Sequence, residues 1–566
     1  GRVMGSRQIV VISGKTCSGK TGLADLLEKE FQFHVIRTRQ ILCELSVGPP
    51  EAEVDRRDLM RRAQELNAAS ESRWALHSTL AALKTLDPTK PVVVDHLSTP
   101  QQVLQFREAF GENLVHVHLY ASTATLLERY AHTEGFGGNA ATYDEIDHLK
   151  EQSSIDALKD DADVRIFTTR SDARDTLVRV AARLHLFTSP EIRCVDVLIG
   201  GQYGSEGKGN VVAYLAREYD VMVRVGGPNA GHTVASPRGP YTYHHLPSGA
   251  RDVGARLLLG PGMTIRLPGL FKEIKECGIG PERLFIDPQA SIIEDEDLEG
   301  ESKHLVSTIA STGSGSGAAS ARRILSRGKS IRLARDVPEL APYVGVPGNY
   351  RGSTTDRLEE AYRQGGSILL EGTQGSGLSM FHGIYPYVTS RDTNVAGCLA
   401  EAGISPSRVR KILMVVRTMP IRVGDPDGDQ GHTSGPLKHP TTFDEIAQMA
   451  QLDATALHTA ERTSTTKRRR RVGWFEWEQF RKACALNAPT DIVLTFADYI
   501  DAKNRRARRF EQLSPDTIKF VEELERVSQA PVSLINTRFP RGPEGFGDMR
   551  SVIDRRNWTA RTTSLR

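Results

Sequence analysis

The stretch QIVVISGKTCSGKT, Gln8 to Thr21, runs an apolar strand into a glycine-rich loop, and Gly22-Leu23-Ala24 behind it opens a helix. Gly14-Lys15-Thr16-Cys17-Ser18-Gly19-Lys20-Thr21 satisfies GxxxxGK[ST] in full. Between strand and helix, that pattern aims backbone N–H groups at phosphate oxygens and adds the positive end of the helix. It also sends the lysine to the β- and γ-phosphates and offers a hydroxyl to Mg²⁺. Gly14, Gly19, Lys20 and Thr21 are therefore the expected contacts of a bound nucleotide, with Thr21 as the metal ligand. Outward from the loop, strands Phe33 to Ile36, Pro91 to Asp95, Leu114 to Tyr120 and Asp163 to Thr168 are predicted. They alternate with a charged helical stretch through Ala82 and with helices Gln101 to Phe110, Thr123 to Tyr130 and Asp172 to Leu186. This alternation predicts an α/β domain, a parallel sheet with covering helices.

Asp95 ends the run Val92-Val93-Val94, where a carboxylate either positions Mg²⁺ or the attacking group of a phosphoryl transfer, or simply caps the strand. Arg129, in LLERY just before the polar, glycine-rich Ala131 to Thr142, is placed either to clamp phosphate beside a lid or as a solvated helix residue. Arg37 and Arg39 follow the second strand, as holders of a monophosphate acceptor or as a charged surface turn. Residues 7 to 187 resemble the small P-loop kinases of the nucleoside-monophosphate kinase and dephospho-coenzyme A kinase group, chiefly through the phosphate loop.

At about 150 residues per domain, 566 residues allow three or four folding units. With 39% hydrophobic and 25% charged residues the chain is a globular protein and not a disordered one. A net charge of +3 excludes bulk attraction to nucleic acid or membrane. The six cysteines are scattered without CxxC or metal-ligand spacing, so reduced thiols in a cytoplasmic compartment are expected. Thr188-Ser189-Pro190 reads as part of a linker, residues 188–193, into a second strand from Cys194. The Gly-, Arg- and Thr-rich residues 541–566 read as an extended or mobile tail.

A second phosphate loop follows that strand: Gly201-Gln202-Tyr203-Gly204-Ser205-Glu206-Gly207-Lys208-Gly209. After it come Arg224-Val225-Gly226-Gly227-Pro228-Asn229-Ala230-Gly231-His232-Thr233, Ser311 to Gly315, Leu370-Glu371-Gly372-Thr373-Gln374-Gly375, His382 to Ser390, Thr465 to Trp474, and Leu494-Thr495-Phe496-Ala497-Asp498. In this order, over about residues 194 to 540, they resemble adenylosuccinate synthetase. The resemblance implies a larger α/β domain behind the kinase-like one. It also implies a Mg²⁺-dependent ligation in which a nucleoside triphosphate phosphorylates the 6-oxygen of a purine nucleotide and the aspartate amine displaces the phosphate.

Carried over by motif, the catalytic set is His232, Ser205, Lys208 and Gln374, with His232 as the acid at the 6-oxygen. Asn229, Thr312, Thr389, Thr465, Thr466, Arg468 and Arg470 would bind the acceptor nucleotide and aspartate. Glu206, Gly207, Lys208, Gly209, Thr233 and Asp498 would bind the triphosphate, and the Gly231 carbonyl would ligate Mg²⁺. Read alone, the five basic residues Lys467 to Arg471 suggest a nucleic-acid patch; between TT and VGW they suit the carboxylates of aspartate and nearby phosphates. His244 and His245 have no motif behind them.

The departures from that pattern carry information. Ser205 stands where the family carries an aspartate that acts as base at the purine N1 and as a Mg²⁺ ligand. A small neutral residue leaves room for a 2-amino group, and a hydroxyl can donate or accept. This replacement resembles the viral aminodeoxyadenylosuccinate synthetases, which use dGMP to make a 2-aminoadenine DNA precursor. The base at N1 is then Glu206, Asp392, Ser205 through water, or the bound aspartate. Phe496 replaces the lysine of the family's TKxD motif, which opens the donor to ATP or dATP as well as GTP. Ser326 falls at the cross-subunit phosphate arginine, with Arg327 beside it. The expectation is a bifunctional, cytoplasmic, homodimeric enzyme of small-molecule substrates, in the host cytoplasm if viral. An IMP-using synthetase with an attached kinase, or a catalytically lapsed nucleotide sensor, are the alternatives.

Overall fold

The computed structural model describes residues 7–45, 56–133, 152–236, 238–301, 313–328, 330–424, 434–461, 469–538 and 551–560. It divides into two compact units, Gly1–Phe187 and Thr188–Arg566.

In the first unit five parallel strands lie in the order His34–Ile36, Val92–Val94, Ile9–Gly14, Leu114–Tyr120, Val164–Phe167. The phosphate loop thus leaves the central strand. Ile9–Gly14 is apolar at nearly every position because both its faces are covered. Val10 and Ile12 pack with Leu23, Leu27 and Val180, and Ile9 and Val11 with Trp74 and Phe106. The charged stretch is three helices, Thr38–Leu45, Arg56–Ser70 and Trp74–Leu83, the last two separated where Glu71 and Ser72 turn left-handed (φ 52° and 66°). A further helix, Gln152–Asp161, lies where no element was expected. Of the glycine-rich segment, residues 134–142 fall outside the described residues.

The second unit is built on a nine-stranded sheet. Its order is Leu284–Ile286, Arg256–Leu259, Val221–Arg224, Ile368–Glu371, Val195–Gly200, Val409–Arg417, Asp491–Thr495, Val532–Asn536 and Val552–Asp554. All neighbours run parallel except the last pair. Each face carries its own core, one around Val197, Ile199 and Val416, the other around Leu198, Val212 and Leu215.

The C-terminal residues correct the expectation of a loose tail. Val552–Asp554 is the antiparallel edge strand. Behind it Arg556, with a side chain only 4% exposed, pairs with Glu218 (2.7 Å) and Asp554 (2.8 Å), while Trp558 donates from Nε1 to Asp491 (3.1 Å). A three-residue strand inside an arginine-rich stretch carries too little alternation to stand out in the sequence. At the other end, Arg408 donates to the carbonyls of Ser189 (2.6 Å) and Ile192 (3.3 Å) and fixes the linker to the second unit. All six cysteines are free thiols. Among the described residues no helix is long and apolar enough to cross a membrane.

Candidate functional site

Val195–Gly200 leaves the sheet at its C-terminal end, where open parallel sheets present loops to ligands. The chain turns through residues 201–207 into the helix Lys208–Leu215, with left-handed backbone at Gly204 (φ 87°), Ser205 (φ 55°) and Gly207 (φ 87°). Inside the turn lies the fully buried carboxylate of Glu206. It accepts from the N–H of Gln202 (3.0 Å) and of Gly204 (3.3 Å) and from the Lys208 ammonium (2.8 Å). A Cβ on Gly200 would stand 2.4 Å from this carboxylate, so the loop can close on it only over glycine. Glu206, expected at the triphosphate, instead sits beneath the loop as the counter-ion of Lys208. It does not line the cavity above.

That cavity, of about 330 Å³, is lined by Ser205, Gly207, Lys208, Gly209, Asn229, Gly231, His232, Thr233, Gln374, Arg470, Phe496 and Asp498, among others. Most of the predicted synthetase residues are therefore brought together. Thr389 is not in the lining, and its N–H donates to Leu378 O (2.8 Å). Thr312, Thr465, Thr466 and Arg468 lie outside the described residues. Asp392 is tied to Ser379 Oγ (2.6 Å) and to the N–H of Phe381 (3.3 Å).

His232 meets Glu371, at the end of the strand beside Val195–Gly200, through Nδ1 and Oε2 at 2.6 Å. Ser248 adds its hydroxyl (2.6 Å) and N–H (2.8 Å) to the same carboxylate. Burial alone would raise Glu371, but the bond from His232 and the charge of Arg224 hold it down at about 2. Burial, then Arg224, pushes His232 down to about 4 against the pull of Glu371. At neutral pH the carboxylate is ionised and the imidazole neutral. A carboxylate partner assigns the proton to Nδ1. Nε2 is buried without a hydrogen-bond partner, as is Gln374 Oε1.

A polar wall closes the other side. Arg417, at the end of Val409–Arg417 and fully buried, donates to Ser205 O (3.1 Å) and to Glu461 (3.1 Å), and its guanidinium lies 3.9 Å from the centre of the Phe496 ring. Glu461 also accepts from Arg470 (3.3 Å) and from the Tyr499 hydroxyl. Asp498 binds Arg505 Nε at 2.9 Å through one oxygen; burial pushes its carboxyl up to about 6 against that pull, and its other oxygen has no partner. Arg417, Glu461 and Ser248 carry no motif signal in the sequence. Glu371 stands within a motif but not with its partner.

In the first unit Lys20 turns onto its own loop, donating to Gly14 O and Lys15 O, both at 2.7 Å. A Cβ on Gly14, whose φ is 148°, would stand 2.3 Å from Leu119 O, so the loop packs against the neighbouring strand. Asp95, which burial pushes up, accepts from Thr38 N and Oγ1, both at 3.0 Å, and so ties its own strand to the helix Thr38–Leu45. Arg129 is neither a solvated residue nor an open clamp. It donates to the carbonyls of Cys17 (3.1 Å) and Thr168 (2.6 Å) and braces the phosphate loop from behind. Arg37 pairs with Asp25 (3.0 Å) at the surface.

Among the described residues no group of three or more His, Cys, Asp or Glu gathers as a metal cage. The oxygens that Ser205, Gly231 and Thr21 offer are neutral. Such donors fit a Mg²⁺ held chiefly by substrate phosphates and water.

The adenylosuccinate synthetase family model matches residues 197–340 and 330–505, and an AAA domain model matches residues 10–136. The adenylosuccinate synthetase of Methanocaldococcus jannaschii is 35% identical over 369 residues, 64% of this chain and 96% of the relative. That of Thermococcus onnurineus is 36% identical over 370 residues, 64% and 98%. Among solved structures, the succinoaminodeoxyadenylate synthetase PurZ of cyanophage S-2L, bound to dGMP and to dATP as an energy donor, is 26% identical, with a TM-score of 0.52 over 64% of this chain and 95% of its own. The fully ligated adenylosuccinate synthetase of Plasmodium falciparum, 21% identical with a TM-score of 0.54 over 64% and 100%, shares the fold.

Proposed function

The chain belongs to the adenylosuccinate synthetase family, and from that premise we propose that residues 194–540 join L-aspartate to the 6-position of dGMP. The product is an N6-succino-2-amino-2′-deoxyadenylate, a precursor of 2-aminoadenine DNA. We propose further that residues 1–187 form a kinase that phosphorylates a (deoxy)nucleoside monophosphate of the same pathway. The carrying observation is Ser205. An exposed, neutral residue stands at the cavity where the family has a carboxylate, beside an intact pair of His232 and Glu371. That pair argues against a lapsed sensor. The dGMP in the related PurZ supports the acceptor.

His232 gives its Nδ1 proton to the Glu371 hydrogen bond and keeps Nε2 for the 6-oxygen. As anionic phosphates enter, they favour the imidazolium, and Nε2–H then stabilises the charge developing on that oxygen. Lys208 leaves Glu206 for the phosphates. With Glu206 beneath the loop and Asp392 tied to Ser379, Ser205 through water or the bound aspartate itself remains to take the N1 proton. Gln374 and Asn229 would hold the acceptor, and Arg470 the aspartate. Mg²⁺, held on phosphates with help from Ser205 and Gly231, would neutralise the transferring phosphoryl group. Phe496 in place of a lysine favours ATP or dATP as donor, with the base against its ring and Asp498. The enzyme would act as a cytoplasmic homodimer.

The second reading, ligation to IMP, is favoured by the 35–36% identity to archaeal adenylosuccinate synthetases. Mass spectrometry of products from dGMP, GMP, dIMP and IMP with aspartate and ATP or GTP separates the two. Succinylation of dGMP is expected, and succinylation of IMP alone would sink the proposal.

A further inference from the structure

Arg417 does not itself line the cavity, yet its guanidinium touches three parts of the wall that does. One nitrogen holds the carbonyl of Ser205, in the phosphate loop (3.1 Å). The other binds Glu461 (3.1 Å), the carboxylate shared with Arg470 and Tyr499. The flat face lies on the Phe496 ring (3.9 Å). Gln202 fixes the backbone beneath it, accepting the Arg417 N–H (2.9 Å) and donating to its carbonyl (3.0 Å).

We propose that Arg417 is a positioning residue that ties the donor-base wall to the loop carrying Ser205, so that the triphosphate and the purine monophosphate bind cooperatively. Only a planar, delocalised cation can donate in two directions and stack on a ring at once; an ammonium cannot. Ser205 sits at φ 55°, a conformation that costs a non-glycine residue energy and persists only when its surroundings hold it. A base seated on Phe496 fixes the guanidinium, the guanidinium fixes the Ser205 carbonyl, and the hydroxyl is thereby set towards the acceptor. Phe496 is left-handed too (φ 57°), its carbonyl held by Thr418 Oγ1 (2.7 Å), so the wall is fixed from both sides.

The inference rests on the proposed function only in taking the two ligands to be a purine monophosphate and a triphosphate. Its test is calorimetry on the full chain carrying Lys20→Ala, which silences the first loop, with adenylyl imidodiphosphate as the triphosphate and dGMP and IMP in parallel arms. The analogue is expected to tighten monophosphate binding about tenfold, and the monophosphate to tighten the analogue by the same factor, as linkage demands. Arg417→Lys should reduce that factor to below about twofold while each ligand alone keeps its affinity within about threefold. A linkage unchanged in folded Arg417→Lys, or absent with Arg417 in place, overturns the proposal. If Arg417→Lys does not fold, Phe496→Leu removes the stacking and leaves the pair with Glu461; an unchanged linkage there overturns it equally. Linkage with IMP alone would sink the dGMP reading and leave Arg417 standing.

Discussion

The two phosphate loops begin alike, each a buried strand running through glycines and a Gly-Lys pair into a helix, and they hold their lysines by opposite means. Lys20 donates to two carbonyls of its own loop and remains half-buried. Lys208 is buried against a carboxylate that is itself fully buried. In the first loop the partners of the lysine are neutral carbonyls of the loop backbone itself. The second is a buried ion pair, so the phosphate binding proposed there would move Lys208 off Glu206 and be an electrostatic exchange beneath the loop as well. A shared motif does not fix what its lysine is paired with.

The largest effect that should separate the two regions is at His232, which lines the cavity of the second unit. His232→Ala is expected to lower succinylation by about 10²–10⁴-fold, the range for a lost general acid, and to leave phosphoryl transfer by the first unit within about twofold. A parallel loss of both activities would break the division into two sites.

The lysines come next. Lys20→Ala and Lys208→Ala should each lower their own reaction by about 10²–10³-fold, the scale for one lost charge-stabilising donor. Their effects on stability should differ sharply. Lys208→Ala strands Glu206 as an uncompensated buried charge and should cost about 3–5 kcal/mol in the second unit. Lys20→Ala removes one donor from two carbonyls and should cost about 1 kcal/mol. Thermal melting with Glu206→Gln added to Lys208→Met decides the cause. Stability should return while activity does not; failure to return would mean that Lys208 supports the fold by packing and not by charge.

What could be read from the sequence followed the same line between local and distant. Both phosphate loops, the alternation around the first and the residues converging on His232 are local patterns, and the structure brings most of them to one cavity. Arg417 ends one strand and Glu461 follows the helix Ala454–Ala460, and neither lies in a motif of its own. Glu206 stood in a motif, but its burial and its bond to Lys208 depend on Gly200 letting the chain close over it. Arg129 was legible as a cation near the lid, not as a brace for Cys17 and Thr168, since its partners are two backbone carbonyls and the Thr168 hydroxyl, which lie far from it in the sequence. The last strand escaped because pairing with Val532–Asn536, not its own pattern, makes it a strand.

The smallest expected difference concerns the acids at the two strand ends. Burial pushes both Asp95 and Asp498 up, but Asp95 is repaid by two neutral donors from Thr38, whereas Asp498 has Arg505 on one oxygen and nothing on the other. With Asp498 at about 6 in the fold and near 3.8 when unfolded, the folded state binds the extra proton between those values. The stabilisation is complete below about pH 4 and is lost as pH rises through about 6. At about 1.4 kcal/mol per pKa unit the loss is on the order of 2–3 kcal/mol. Asp498→Asn keeps the shape and an acceptor for Arg505 but cannot titrate. Its second-unit melting temperature should therefore fall less than that of the unsubstituted chain between pH 4.5 and pH 7, while Asp95→Asn should change the first unit's profile less. If the Asp498→Asn profile matched the unsubstituted one, the carboxyl would be ionised throughout, and Arg505 would outweigh burial at the wall against which the donor base is proposed to sit.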